Sequence, residues 1–234
     1  KNPFFKHGIC QRWILKSADG QLIGRVAAFV NEKKAFQYEQ PTGGMGFFEC
    51  INDQSAAFKL FDTAKEWLQQ QGMKAMDGPI NFGENDSFWG LLIEGFTPPS
   101  YGMNYNFPYY HEFFINYGFK KEYEQITNHL QVRNPFPERF TKIANWVANK
   151  PGYTFEHFSK KNAEKYVADL MEIYNDGWQD FESFVPIKKE TLLESFKKME
   201  TIMDEKLIWF AYLNGEPASF VVIIPDANQM IKDF

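Results

Sequence analysis

Polar and apolar residues alternate along RWILKSADGQLIGRVAAFVN, residues 12 to 31, on either side of Asp19-Gly20. The alternation predicts two strands, and the dipeptide a hairpin turn, because glycine accepts the positive φ that such a turn requires. The layout returns in LIWFAYLNGEPASFVVIIPD, residues 207 to 226: Trp209 matches Trp13, Asn214-Gly215 matches Asp19-Gly20, and 218 to 222 match 23 to 27. This reads as an internal duplication.

After the first hairpin the pattern predicts a strand at 46–51, a helix at about 54–71, a strand at 74–78, a long irregular stretch, a helix at about 109–117 and a strand at 125–132. The first helix carries Ala57, Leu60, Phe61, Ala64, Trp67 and Leu68 at helical spacing, a stripe that must pack on a sheet, and Gly72 ends it. Before the second hairpin come a strand at 152–159 and helices at about 160–176 and 188–204. Each copy lacks what the other has, so the chain reads as part of a longer tandem protein entered partway. The expected organisation is a domain at 1–134, a linker at 135–150 in the Pro-rich segment RNPFPERFTKIANWVANKPG, and a partial second copy at 151–234.

Composition narrows the class. The 234 residues bury a core without difficulty, being 44% hydrophobic and 18% aromatic. A net charge of −5 with interspersed signs offers no extended basic face, so no nucleic-acid partner and no anionic membrane is expected. No apolar run is long enough for a membrane span. Cys10 and Cys50 are too few for a disulfide scaffold, which makes the reducing cytoplasm the simpler location. His7, His111, His129 and His157 are scattered, so no metal is expected.

The candidate chemistry sits where GFFECI runs through Asn-Asp-Gln-Ser into the first helix. Phe47, Glu49 and Ile51 share one face of the strand, Phe48 and Cys50 the other. A strand leading into a helix offers free N–H groups and a positive dipole end to an anion. A plain N-cap, with Asn52, Asp53 or Ser55 bonding those groups, serves the same residues equally well.

The junction resembles the GNAT superfamily of acyl-CoA-dependent N-acyltransferases, in which a Q/R-x-x-G-x-G/A turn cradles the CoA diphosphate before a helix closing at glycine. Counting back from Gly72 puts Asn52, Ser55 and Ala57 at the motif positions, and only Ala57 fits. The resemblance implies an α/β fold, a mixed central sheet flanked by helices with a partial second copy. It also implies an acyl-CoA donor, acetyl-CoA or another, held along Ile51, Asn52, Ser55, Ala56 and Ala57. YYHEFFINYGFKK resembles the GNAT helix that ends at Gly-Phe, with Phe114 where the family often has a tyrosine acid; Tyr110, one turn earlier, or Tyr117 is the nearest substitute. More specific are G-P-x-N-F-x-x-N-D, G-L-L-x-x-G-F, M-x-Y-N, N-P-F-F-K-H, G-R-V-A-A-F-V-N and G-F-F-E-C-I, which together are similar to a bacterial family of tandem GNAT-like proteins without an assigned substrate.

On that resemblance, Glu49 is the first candidate base and Tyr110 the acid, with Glu84 or Asp86 second as base. Pairing of Glu49 with Arg25 is the competing structural role. Cys50 is an alternative nucleophile, against the plainer role of a buried apolar residue. The stretch 79–107 is long for a connection, and Asn81, Glu84, Asn85, Asp86, Asn104 and Tyr105 among its aromatics suit a pocket for the acceptor, a small-molecule, lipid or peptide amine. The same Asn and Asp side chains could instead satisfy the loop's own turns. The expected activity is N-acyl transfer. Rivals are an inactive ligand-binding module, a structural role as a homodimer, and aminoacyl or peptidyl transfer from a tRNA-borne donor, which the acidic balance disfavours.

Overall fold

A computed structural model describes residues 2–37, 39–84, 87–180 and 186–232. The chain forms two compact units, Lys1–Glu124 and Gln125–Phe234. The fold is mixed α/β, with a four-stranded mixed sheet in the first unit, a three-stranded antiparallel sheet in the second, and helices packed on both.

In the first unit the strands β1 (Gly8–Lys16), β2 (Leu22–Asn31), β3 (Thr42–Cys50) and β4 (Ala75–Asp77) lie in that order, the first three antiparallel and the last parallel to β3. The β1–β2 turn turns on Gly20 at φ +86°. Helix α1 (Gln54–Gln70) follows β3 directly. Of the predicted apolar stripe Ala57, Leu60, Phe61, Ala64 and Leu68 are buried, with Ala56 beside them, and Trp67 is partly buried. They form a core with Val26, Ala28, Met45, Phe48 and Cys50 of the sheet. The helix ends in a Schellman motif: Gly72 stands at φ +82° and the Met73 N–H donates to Leu68 O at 3.0 Å. Helix α2 (Tyr110–Tyr117) closes the same way, with Gly118 at φ +107° and Phe119 N–H on Phe114 O at 3.0 Å. Phe61 is the hub between them, ringed by Phe48, Phe58, Phe114, Tyr117 and Phe119.

The opposite sheet face is covered by the N-terminal residues and the long connection. Phe82 packs against Phe4, Phe5 and Phe29. The Phe29 ring lies over Gly44, where any β-carbon would come within 2.0 Å of it.

The predicted strand at 125–132 does not form. Residues 120–137 are exposed and contain neither helix nor strand, and Ile126, Leu130 and Val132 are 78%, 63% and 71% exposed. A strand exists only where a neighbour takes its N–H and C=O groups, and β-propensity alone does not supply one.

The second unit carries α3 (Glu138–Ala148), β5 (Tyr153–His157), α4 (Ala163–Trp178), α5 (Lys189–Met199), β6 (Ile208–Leu213), β7 (Glu216–Val222) and the short α6 (Ala227–Ile231). The β6–β7 turn uses Asn214 and Gly215, both at positive φ, as the sequence predicts. Alternate residues of β6, Ile208, Phe210 and Tyr212, bury against Tyr166, Val167 and Leu170 of α4 and Phe196 of α5.

Among the described residues no helix is long and apolar enough to cross a membrane, and no group of three His, Cys, Asp or Glu could hold a metal ion.

Candidate active site

The site begins with a parting of two strands. β3 pairs with β4 only from Thr42 to Gly44, and a last bond runs from Ile80 N–H to Met45 O at 2.9 Å. Beyond that the chain leaves the sheet, and residues 47–49 open onto a cleft of about 320 Å³. At Cys50 the edge is closed again, not by a strand but by two phenols. The Cys50 N–H donates to the Tyr110 hydroxyl at 2.9 Å, and the Tyr109 hydroxyl donates to Cys50 O at 3.0 Å.

A bulge lies at the same place. Arg25 pairs with Glu49 but Ala27 with Gly46, so two steps on β2 face three on β3. The extra residue bends the strand at Phe47, which is held at φ +50°, a region that costs a bulky side chain energy. Three non-glycine residues among those described have positive φ: Asn214 in its turn, where Asn is tolerated, and Phe47 and Phe88, both of which line the cleft. Such strain is held only where the surrounding structure imposes it, and it concentrates at functional sites. Gly46 is the pivot, since a β-carbon there would stand 1.7 Å from the Ile80 carbonyl oxygen. The glycines at 43, 44 and 46 were the sequence signal for this close approach.

The cleft wall is apolar on Phe47, Phe48, Pro79, Ile80, Phe88 and Leu91. Its polar centre is Glu49. The Tyr110 hydroxyl donates to Glu49 Oε2 at 3.0 Å, and Arg25 reaches Oε1 at 3.6 Å across half-exposed surface. Burial pushes the Tyr110 phenol well above its ordinary value, the Cys50 N–H opposes the shift and the Glu49 charge adds to it. The phenol is therefore protonated at neutral pH and stands as a donor. The Cys50 thiol, pushed up to about 11 by burial and by Asp53, is protonated too and buried at 5% exposure, so it is no thiolate nucleophile.

The loop residues divide. Asn81, Asn104 and Tyr105 line the cleft, and Tyr105 is 60% exposed. The amide groups of Asn81 and Asn104 donate to the loop's own carbonyls, at Ser87 and Trp89, and Asn106 brackets both backbone groups of Leu92. These side chains hold the irregular stretch in place. Glu84 lies outside the cleft, paired with Lys34 at 2.6 Å. Asn85 and Asp86 lie outside the described residues. Phe114, where the GNAT resemblance expects a tyrosine, is 2% exposed and packs against Phe48, Phe61 and Phe119, while Tyr117 bonds Asp62 at 2.6 Å and does not line the cleft.

The strand-to-helix turn is capped from within. Asp53 Oδ1 accepts from the N–H groups of Ser55 at 2.8 Å and Ala56 at 3.2 Å and from the Ser55 hydroxyl at 2.7 Å. The Ala57 N–H bonds Asp53 O, and the Ile51 N–H bonds Ile23 O on β2. A carboxylate thus occupies the anion position at the α1 N-terminus, and of the turn amides on 51–57 those of Ile51, Asp53, Ser55, Ala56 and Ala57 are engaged within the protein. Ile51, Asn52, Ser55, Ala56 and Ala57 do not line the cleft. Phe88 was among the loop aromatics expected to floor the pocket; Tyr109 and the Phe47 bulge were not foreseen from the sequence, and only the glycine cluster on β3 carried a hint of the bulge.

No family model matches the chain. It is similar to protein YghO of Escherichia coli strain K12, at 30% identity over 235 residues that take in 100% of this chain and 59% of the relative. It is equally similar, at 30% identity over 241 residues, to the bacterial ceramide synthase of Caulobacter vibrioides strain NA1000 / CB15N, covering 99% of this chain and 60% of the relative. The chain spans about three-fifths of the length of these curated relatives.

Proposed function

We propose that the cleft of the first unit is an N-acyltransferase site of GNAT type, which moves an acyl group from a thioester donor such as an acyl-CoA to the amine of a lipid-like acceptor. The observation that carries this reading is the parting of β3 from β4 with a carboxylate at its centre. It exposes strand backbone to a reacting carbonyl, sets Glu49 beside it as base, and lines the space with aliphatic and aromatic carbon. The Ile51 N–H points to β2, and the Cys50 N–H points the other way, to the Tyr110 hydroxyl.

The relative named as a ceramide synthase supports an acyltransferase, since a ceramide is a fatty acyl group in amide linkage to a long-chain amino alcohol. Apolar walls and a volume of about 320 Å³ suit a chain better than a bare acetyl group. The test is to incubate the protein with acetyl-CoA or palmitoyl-CoA and a long-chain amine and to follow amide formation by mass spectrometry. Amide from palmitoyl-CoA supports the reading, and absence of amide with every donor overturns it. Glu49→Gln is expected to lower turnover about 10²- to 10⁴-fold while leaving donor binding intact.

The Asp53 cap and the phenylalanine at position 114 favour a second reading, a ligand-binding module without turnover. Saturable acyl-CoA binding by calorimetry with no amide product would establish it.

A further inference from the structure

We infer that Glu49 and Tyr110 act as one proton relay, so that the proton taken from the amine nitrogen replaces the one that Tyr110 gives to the departing sulfur. This rests on the acyltransferase reading of the same cleft. Both side chains line it, and they are joined directly, the Tyr110 hydroxyl donating to Glu49 Oε2 at 3.0 Å. The hydroxyl's position is imposed from outside the pair. Its oxygen accepts the Cys50 N–H at 2.9 Å, and its ring is packed between Phe48 and Phe107, with Phe113 alongside. Tyr110 is thus the group that both steers Glu49 and holds a transferable proton of its own.

The step balances without help. A neutral amine attacks the thioester carbonyl, forming the C–N bond and a tetrahedral intermediate with N–H⁺ and O⁻. Glu49 removes one proton from nitrogen. As the C–S bond breaks, its electron pair goes to sulfur, the Tyr110 hydroxyl proton goes to that sulfur, and the proton on Glu49 passes to the Tyr110 oxygen. The products are an amide and a thiol, and the relay ends in its starting state. Phe114 then needs no hydroxyl, because the acid sits one turn earlier, joined to the base.

The test varies the leaving group. The purified protein is given one acyl group as its CoA thioester and as its p-nitrothiophenyl ester, with a long-chain amine, and Tyr110→Phe, Glu49→Gln and the double variant are compared. An arylthiolate leaves without protonation. The relay therefore predicts that Tyr110→Phe loses about 10²-fold in kcat on the CoA thioester and only a few-fold on the aryl ester, that Glu49→Gln is slow on both, and that the double variant is no slower than Glu49→Gln on the CoA thioester. Equal loss by Tyr110→Phe on both esters, or additive losses in the double variant, overturns the relay while the acyltransferase reading stands. Wild-type protein that makes no amide from either ester overturns both. Melting temperatures of the variants separate a folding defect from a chemical one, since lost fold lowers both esters alike.

Discussion

At the residue scale the first unit depends on Phe61. It has no exposed surface and touches five other rings, from both helices, β3 and the Gly118–Phe119 stop. Replacement by alanine removes most of that contact at a place where neighbouring rings, fixed by their own backbones, cannot collapse. Phe61→Ala is expected to cost about 3–5 kcal/mol in urea unfolding of the first unit. Glu49 and Tyr110 could be named from the sequence because a strand carboxylate and a phenol on the helix near Gly118 are local features. Their bond to one another could not, since they stand 61 positions apart and meet only when α2 closes over the end of β3. The asparagines were legible as polar residues in an aromatic loop, but whether they would bond a ligand or the loop was decided by which carbonyls the fold brought within reach.

At the scale of elements, the α1 N-terminus and the β3 bulge make the clearest predictions. The Ser55 hydroxyl and the Ala56 and Ser55 N–H groups bond the charged form of Asp53 and hold its carboxyl below the ordinary value of 3.8. A depressed folded value means that the ion's stabilising contribution is present above the unfolded value and disappears as pH falls through the folded one. Asp53→Ala is thus expected to melt lower than wild type at pH 6, the gap shrinking as pH drops below 3.8. The same carboxylate repels an incoming diphosphate, so Asp53→Asn is expected to bind CoA more tightly in calorimetric titration if the diphosphate lies at this helix end; an unchanged affinity places it elsewhere.

On β3, Gly46→Ala sets a carbon against the Ile80 carbonyl, a backbone group that cannot rotate aside. About 1–3 kcal/mol or more of stability is expected to be lost in urea unfolding, and acyl-donor binding with it, because the strand and the cleft wall must move apart. The glycines at 43, 44 and 46 announced close approaches without saying what approached, since the partners are Leu68, Phe29 and Ile80 in turn.

The whole molecule is two units with separate cores, one around Phe61 and Met45, the other around Phe210 and Val167. Between α2 and α3 the backbone at 120–137 is exposed and has no regular structure. Trypsin is expected to cut first at Lys120, Lys121 or Arg133, leaving fragments on either side that persist, as mass spectrometry of a time course will show. First cuts inside α1 or α4 would mean that a core is looser than its packing implies.

What the sequence determined by itself is what near neighbours control: both hairpins with their glycine turns, the α1 stripe and its Gly72 stop, the helix ending at Gly118, and the mixed α/β class that follows from them. Each rests on periodicity or on a φ that one residue type accepts, and such causes act within a few positions. Tertiary structure alone decided the rest. The strand expected at 125–132 found no partner, and the cleft came into being where β4 left β3 and two tyrosines took the place of a strand. The cleft depends on groups 33 to 61 positions apart meeting at hydrogen-bond distance, and no local pattern carries that distance.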